Sequence, residues 1–212
     1  MVHGDQAGGA ATLTDYAWLA EAELALAAIA AWAGDDPARH ERRASALLRT
    51  ARGRFGDPHE VGYFLVAADR ADLAVRQKDW FDNAVPAGNS SLLHGFGGLL
   101  ALTGEPSWAT EAAELSRAYG GVSRHVPQGA AHALAALTRQ ATGLATIQPP
   151  AGADFEALRR ALCGDETTAP HARPFRLAFL RAPQGTDRFR LCVGTTCLPP
   201  LASPRDRKST RL

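Results

Sequence analysis

The chain has 212 residues, of which 46% are hydrophobic and 21% charged, and its formal net charge is +1. This composition is typical of a soluble globular protein, and so small a net charge excludes bulk attraction to nucleic acid or to anionic lipid. The most apolar run, residues 22–33, is shorter than the roughly 20 residues that a membrane-spanning helix needs. We therefore expect no nucleic-acid partner and no membrane partner.

The cysteines and the N-terminus indicate a compartment. Three cysteines do not make the disulfide framework of a secreted domain. The first ten residues lack the basic and apolar regions of a signal peptide. We expect a cytoplasmic protein.

The chain begins with a Gly- and Ala-rich segment, residues 1–12, which we expect to be disordered. A first helix follows, capped by Thr14 or Asp15 and continuing to about Ala33. Its apolar residues fall on every side, so we expect it to be buried all round. Gly34 is suited to end it.

The second predicted helix spans about residues 37–53, with Asp36 as its N-cap and Pro37 in its first turn. Only one stripe of this helix is apolar, and arginines cover the remaining surface. Because no aromatic residue lies among those arginines, a solvated helix face is favoured over a nucleic-acid site. We expect an outer helix, whose inward face consists of Ala44, Leu47, Leu48, Ala51 and Phe55.

After this helix, residues 61–66 and Leu73–Val75 are predicted to form a small β-hairpin. A polar loop, Arg76–Ser90, follows and contains cations, carboxylates, aromatic rings and amides. Loops of this kind between apolar helices are where binding and catalytic residues concentrate. We expect the functional site in this loop.

The next helices repeat the first two. A third helix, capped by Asn89 or Ser90, is again apolar nearly all round, and a fourth, opened by Pro106, has a single apolar stripe. The glycines that end the first and third helices, Gly34 and Gly104, are 70 residues apart. Such a repeat predicts helical hairpins with inner and outer helices, which is the arrangement of an (α/α) toroid. A fifth helix, at about residues 128–141, begins a third unit.

The pattern changes after residue 143, where a β-α-β-β tail is predicted. Its elements are a strand at 144–148, a helix at 154–162 and strands at 175–181 and 188–193. The fold class is therefore mainly α: a partial (α/α) toroid over residues 13–143, with a small β-hairpin insertion, and an α/β tail over residues 144–203. Residues 204–212 are expected to be non-native or disordered.

Asp79 and Asp82 are the candidate catalytic pair, with Lys78 beside them. Paired carboxylates three residues apart share one side of a helical turn, and they suit acid–base chemistry at a sugar carbon. The alternative is a loop whose Asp and Asn side chains cap backbone N–H groups. Candidate substrate-binding residues in the same loop, where an aromatic ring can stack on a sugar, are Arg76, Trp80 and Asn83.

Further candidates lie at helix starts. Asn89 and Ser90 are candidates to bind a hydroxyl or an anion, with simple capping as the alternative. Tyr16, next to Asp15, is a candidate to line a pocket, and otherwise a core residue with a satisfied hydroxyl.

Cysteines and histidines give weaker signals. Cys192 and Cys197 are a candidate disulfide or redox pair, but two thiols are only half a zinc site. We therefore predict no metal and no cofactor. For His94 and His132, a structural role is favoured over catalysis.

Three motifs, which occur along the chain in the order that the family has, resemble one family. R-Q-K-D-W-F-D-N-A-V-P-A-G-N-S (Arg76–Ser90) resembles the R-P-K-D-x-x-D-x-A-x-P-S-G-N-S motif of thioredoxin-domain-containing proteins related to spermatogenesis-associated protein 20. T-D-Y-A (Thr14–Ala17) is similar to that family's D-D-Y-A, and L-C-V-G-T-T-C-L-P-P (Leu191–Pro200) to its C-x4-C-x-x-P. The departures from the family pattern are Thr14 for Asp, Gln77 for Pro, Ala87 for Ser and Gly194 for a frequent Asn.

This resemblance implies a fold and a function. Members look like an N-terminal thioredoxin-like domain followed by a six-hairpin toroid similar to N-acylglucosamine 2-epimerases and six-hairpin glycosidases. The present chain matches only the last part, so we expect a C-terminal fragment that lacks its thioredoxin-like partner domain and exposes apolar faces of inner helices. The implied activity is epimerase- or glycosidase-like acid–base chemistry on a carbohydrate-like small molecule. The alternative is a non-catalytic binding or scaffolding toroid that partners the thioredoxin-like redox domain.

Overall fold

A computed structural model describes residues 10–30, 33–70, 74–150, 152–154, 187–193 and 196–200, and the backbone of three further strands. The described helices are α1 (Leu13–Ala30), α2 (Pro37–Phe55), α3 (Gly88–Thr103), α4 (Ala109–His125) and α5 (Ala131–Thr142). The described strands are β1 (Val2–His3), β2 (Gln6–Ala7), β3 (Ala145–Gln148), β4 (Leu177–Phe179), β5 (Arg190–Val193) and β6 (Thr196–Cys197). The prediction of a mainly helical fold is confirmed.

Two helical hairpins, α1–α2 and α3–α4, follow each other along the chain. Gly34 and Gly104 stand at the ends of their first helices with φ of 73° and 67°, a backbone conformation that suits glycine. Asp36 caps α2, since its side chain accepts the N–H of Ala38 at 3.0 Å, and Pro37 is the first residue of that helix. These helix ends are as the sequence predicts.

Helix α3 lies at the centre of the helical part, because it packs against α1, α4 and α5. It is buried along nearly its whole length, as expected for an all-apolar helix. Helices α2 and α4 instead bury one stripe each, which confirms the predicted inward faces. The buried apolar residues of these stripes are Ala44, Leu48, Ala51 and Phe55 in α2, and Ala112, Leu115 and Tyr119 in α4.

The prediction that the first helix is buried all round is wrong. Trp18, Leu19, Leu26 and Ile29 lie on one face of α1 and are 38–47% exposed. Helices α2 and α3 both pack against α1, and its buried positions, such as Ala20, form a separate face. We call the four exposed residues the apolar face of α1.

The prediction of a first hairpin strand at residues 61–66 is also wrong. Residues 61–66 form no strand, apart from a single isolated bridge between Tyr63 and Gly56. The second predicted strand falls partly on residues 71–73, which lie outside the described residues. The N–H groups of the first segment reach three different elements, through hydrogen bonds from Tyr63 N to Asn89 Oδ1, Phe64 N to Phe55 O and Leu65 N to Gln77 O.

The C-terminal strands form a four-stranded sheet in the order β4-β3-β5-β6. Strands β3 and β4 are parallel, and the other neighbours are antiparallel. Strands β3, β4 and β5 occur where the sequence predicts them, and β6 was not predicted. The predicted helix at 154–162 and residues 204–212 lie outside the described residues, apart from Asp154. Within the N-terminal segment expected to be disordered, β1 pairs with β2.

Membrane association was not expected from the sequence. Among the described residues, no helix is both long enough and apolar enough to cross a bilayer.

Replacing Gly62 by alanine is expected to lower the free energy of unfolding by about 1–3 kcal/mol. Gly62 has a φ of 98°, and an added Cβ would lie 2.4 Å from the Trp80 ring. Gly120 of α4 has nothing within 4 Å of an added Cβ, so Gly120→Ala is the control and is expected to stabilise by up to about 1 kcal/mol. Urea unfolding followed by circular dichroism measures both. Equal stability of Gly62→Ala and wild type would contradict the packing of Trp80 on Gly62.

Candidate functional site

The cations of the polar loop hold the segment that precedes it. Lys78 Nζ lies 2.7 Å from Asp57 Oδ2 and 5.1 Å from the centroid of the Phe64 ring. The Arg76 guanidinium donates two hydrogen bonds to the carbonyl of Val66 and lies 4.0 Å from the centroid of the same ring. Both cations are therefore engaged in contacts that fix the backbone between α2 and the loop.

The carboxylate of Asp82 joins the starts of two helices. Its Oδ1 accepts the N–H of Ala87 at 2.9 Å and the hydroxyl of Ser90 at 2.6 Å, at the beginning of α3. Its Oδ2 accepts the N–H of His132 at 2.8 Å, at the beginning of α5. The first N–H groups of a helix have no partner within the helix and favour a negative charge. Asp82 therefore fixes α3 and α5 relative to each other.

Asp79 also contacts backbone groups. Its Oδ1 accepts the N–H of Phe81 at 3.3 Å. Together with the contacts of Asp82, this is the pattern of the loop-capping alternative. Catalysis by Asp79, Asp82 and Lys78 stays a prediction.

Asn89 and Ser90 do not cap α3 as predicted, because the helix begins at Gly88 and both residues lie in its first turn. The Asn89 side chain is fully buried. Its Oδ1 accepts the N–H of Tyr63, and its Nδ2 donates to the carbonyls of Tyr63 and Asp79, each at 2.9 Å. Asn89 therefore ties three segments of backbone together.

The remaining predicted binding residues lie in different surroundings. Tyr16 packs on Phe55, with ring centroids 5.5 Å apart, and its hydroxyl accepts from Arg54. The Trp80 ring meets the Tyr119 ring edge-on at 5.4 Å. Asn83 is exposed. The structure therefore does not gather these side chains around one cavity.

Asp15 acts in the first turn of α1. The helix begins at Leu13, ahead of the predicted caps Thr14 and Asp15. Asp15 Oδ2 accepts the N–H of Thr12 at 2.8 Å and its hydroxyl at 3.0 Å. This contact secures the start of α1.

The two cysteines of the predicted pair are joined. Cys192 in β5 faces Cys197 in β6 across the antiparallel pair, and a disulfide links them.

Three titratable side chains that are distant in sequence meet between α1, α3 and α5. We call Glu21, His94 and His132 the inner cluster. His132 Nε2 lies 3.0 Å from Glu21 Oε2, and His94 Nδ1 lies 3.9 Å from Glu21 Oε1. The two imidazole rings are 4.1 Å apart between centroids. The side chains of Glu21, His94 and His132 are 19%, 5% and 24% exposed.

Hydrogen bonds fix the tautomer of His94. Its Nε2 lies 2.8 Å from the backbone carbonyl of His132, which can only accept, so Nε2 carries the hydrogen. Its Nδ1 faces a guanidinium N–H of Arg139 at 3.0 Å and therefore holds a lone pair. Burial lowers the pKa of His94 to about 4, so the ring is neutral at neutral pH.

Glu21 is negatively charged in this setting. Burial raises its pKa, but the hydrogen bond from His132 and the nearby imidazoles outweigh burial, so the pKa lies below its ordinary value. The hydroxyl of Ser91 also contributes to the lower pKa. That hydroxyl is buried and has no well-formed hydrogen bond. The inner cluster thus has a polar neighbour with unused hydrogen-bonding capacity.

His94 of the inner cluster lines two cavities, and Glu21 lines the smaller of them. The larger, of about 540 Å³, lies among α3, α4 and α5, and its polar lining consists of His94, Arg139 and Gln140. The smaller, of about 30 Å³, is lined by Glu21, His94 and Arg139 among apolar residues. Small-molecule sites commonly have roughly 300–1,000 Å³ of largely apolar cavity with a few polar groups. The larger cavity fits that description.

The polar loop positions one member of the inner cluster, His132. Asp82 holds the backbone of His132, and the side chain of His132 pairs with Glu21. Sequence reasoning missed the cluster because Glu21, His94 and His132 stand far apart in the chain. One signal was available, because each is a titratable residue on a predicted inner helix.

Asn89→Ala is expected to destabilise the protein by about 3 kcal/mol or more, because it leaves two buried backbone groups and one part-buried carbonyl without their partner. Asn83→Ala is the matched control: Asn83 is an exposed amide of the same loop, and the expected change is within about 0.5 kcal/mol. Chemical unfolding of both variants measures the difference. Similar small effects would show that Asn89 does not hold these segments.

The Asp57–Lys78 pair is expected to make stability depend on pH. The hydrogen bond from Lys78 lowers the pKa of Asp57 from 3.8 to about 2. A lowered folded-state pKa stabilises above the unfolded value, and this stabilisation is lost as the pH falls through the folded value. The stability difference between wild type and Asp57→Asn should therefore shrink as the pH is lowered from about 5 toward about 2.

Urea titrations at each pH measure this difference. Asp69→Asn, which changes an exposed partner of Arg54, is the control and should show a much smaller pH dependence. A constant difference across the pH range would contradict the assignment of the Asp57 pKa.

Comparison with known proteins gave no match: no protein-family model matches the sequence, and no curated protein matches it. The family resemblance therefore stands on the three motifs quoted above.

Proposed function

We propose that this chain is part of an (α/α) toroid of the thioredoxin-domain-containing family described above. In this proposal the inner cluster carries acid–base chemistry on a carbohydrate-like small molecule. The observation that carries it is the meeting of Glu21, His94 and His132, of which His94 lines a cavity of about 540 Å³. A thioredoxin-like partner domain and a cytoplasmic location belong to the same proposal.

The helix packing supports the toroid part of the proposal. Each residue of the inner cluster comes from the first helix of a repeat unit: α1, α3 or α5. Helix α3 contacts both α1 and α5, while α2 packs mainly against α1 and α4 against α3. Alternating inner and outer helices of a toroid have these neighbours, and their inner helices line the central hollow.

The two imidazoles support proton transfer in opposite directions. His94 is neutral and holds a lone pair on Nδ1, so it can accept a proton. His132 is oriented by Glu21 through a 3.0 Å contact at Nε2, and an imidazole held in this way can return a proton. Arg139, beside His94, can stabilise negative charge on a substrate oxygen.

This set of groups favours an epimerase-type reaction over glycoside hydrolysis. An epimerase removes and returns a proton next to a carbonyl, which needs a base and an acid. Glycosidases typically use two carboxylates, and the inner cluster contains one. Asp82 is then a positioning residue, because it holds the backbone of His132.

Solvent hydrogen exchange tests the proposed reaction. Aldoses and N-acylhexosamines are incubated with the chain in deuterated water, and NMR follows deuterium incorporation next to the carbonyl carbon. Glu21→Gln and His132→Gln are expected to slow incorporation by about 100-fold or more while retaining the fold. His40→Gln is the matched control, because His40 forms a similar buried pair with Glu23 between α1 and α2. This control should retain the wild-type rate.

Two outcomes would contradict the proposal. Equal rates in wild type and the Glu21 and His132 variants would remove the inner cluster from the reaction. No exchange with any sugar, together with a stable complex with a thioredoxin-like domain, would favour the scaffolding alternative. Release of nitrophenol from nitrophenyl glycosides, if lost in Asp82→Asn but not in His132→Gln, would restore the carboxylates of the loop as the catalytic pair.

A further inference from the structure

We propose that the inner cluster is also a binding site for a divalent transition-metal ion, for which Zn²⁺ is the probe. The ligands are the Glu21 carboxylate, His94 Nδ1 and His132 Nε2. One ligand atom from each residue lies within 4.8 Å of the others. Two imidazoles and one carboxylate are a common ligand set for zinc and related ions, and they leave a position open for water.

The distances within the inner cluster suit such an ion. Two atoms bound to zinc at about 2.1 Å, with an angle between a right angle and a tetrahedral one, are about 3.0–3.4 Å apart. His132 Nε2 and Glu21 Oε2 are already 3.0 Å apart. His94 Nδ1 and Glu21 Oε1 are 3.9 Å apart, so they must approach by about 0.5 Å, within the reach of side-chain adjustment.

The surroundings of the inner cluster orient these ligands. Imidazoles that bind a metal usually donate the other ring N–H to a carbonyl or carboxylate. His94 donates from Nε2 to the backbone carbonyl of His132 at 2.8 Å, which leaves Nδ1 as the atom for the ion. The buried hydroxyl of Ser91, which has no well-formed hydrogen bond, lies near Glu21. It can donate to the bound carboxylate or to a water on the ion.

A second His–Glu pair in the same protein shows the contrast. His40 places Glu23 on its Nδ1 and Asp35 on its Nε2. The two carboxylates therefore lie on opposite sides of one ring and share no point where an ion can sit. In the inner cluster, both imidazoles and the carboxylate converge.

Arg139 competes with the ion for one ligand. Its guanidinium lies 3.0 Å from His94 Nδ1, so this nitrogen becomes available only when Arg139 turns away. Arg139 borders both cavities, which offer room for that movement. Removing the guanidinium should therefore strengthen metal binding, an effect that a purely structural role for the cluster does not produce.

The metal site deepens the proposed function. The site itself is argued from the geometry of the inner cluster, and only its effect on proton transfer rests on the proposed function. His94 Nδ1 and His132 Nε2, the atoms that handle protons in the proposed reaction, would be bound to the ion. A zinc-bound water at the open position would supply the proton chemistry instead, because zinc lowers the pKa of bound water to about 7.

The test uses the full chain without a polyhistidine tag, stripped of metal by a chelator. ZnCl₂ is titrated in competition with a chromophoric chelator, and Co²⁺ absorption reports the ligand atoms. Wild type is expected to bind one ion. Glu21→Gln, His94→Gln and His132→Gln should each weaken binding by about 10-fold or more, His40→Gln should match wild type, and Arg139→Gln should bind more tightly.

Three results would overturn the metal site. The first is that wild type does not bind Zn²⁺. The second is that the three ligand variants bind Zn²⁺ as tightly as wild type does. The third is Co²⁺ absorption characteristic of thiolate ligands. Wild type and Arg139→Gln retain all three ligands, so the comparison between them holds even where a ligand variant does not fold. Zinc binding is measured without turnover, and sugar exchange is measured with chelated protein, so each proposal can fail alone.

Discussion

The carboxylate of Asp82 is the contact on which the arrangement of the helices depends. It accepts backbone N–H groups at the start of α3 and at the start of α5. N–H groups in these positions have no partner within their own helix. With these two starts fixed, His94 and His132 face each other. The polar loop thus determines the geometry of the inner cluster although none of its side chains belongs to the cluster. A partly buried carboxylate in this position must keep its hydrogen bonds, since taking a carboxylate out of water without partners is strongly unfavourable.

Local features of the fold could be predicted from the sequence, and features that depend on distant partners could not. Gly34, Gly104 and Asp36 act within one turn of chain, so their residue types determine their roles. The segment at 61–66 has strand-like composition, but its N–H groups bond to α2, α3 and the loop, and composition does not reveal such partners. The burial of α1 was overestimated for the same reason, because it depends on which neighbours are present.

The candidate site shows the same division. Sequence reasoning found the polar loop but assigned chemistry to carboxylates that the fold uses for backbone contacts. Glu21, His94 and His132 each have an unremarkable setting in the sequence. Their meaning comes from the packing of α1, α3 and α5, which brings these three side chains together. A prediction made from the repeat, comparing titratable residues on successive inner helices, includes all three.

The apolar face of α1 has a consequence for the behaviour of the chain in solution. Colloidal stability of a protein depends on repulsion between like-charged copies, and a net charge of +1 supplies very little of it. The four exposed apolar side chains on α1 favour association between copies, and such weak repulsion does not prevent it. Aggregation of concentrated samples should therefore depend on how well the apolar face of α1 is covered, rather than on the free energy of unfolding.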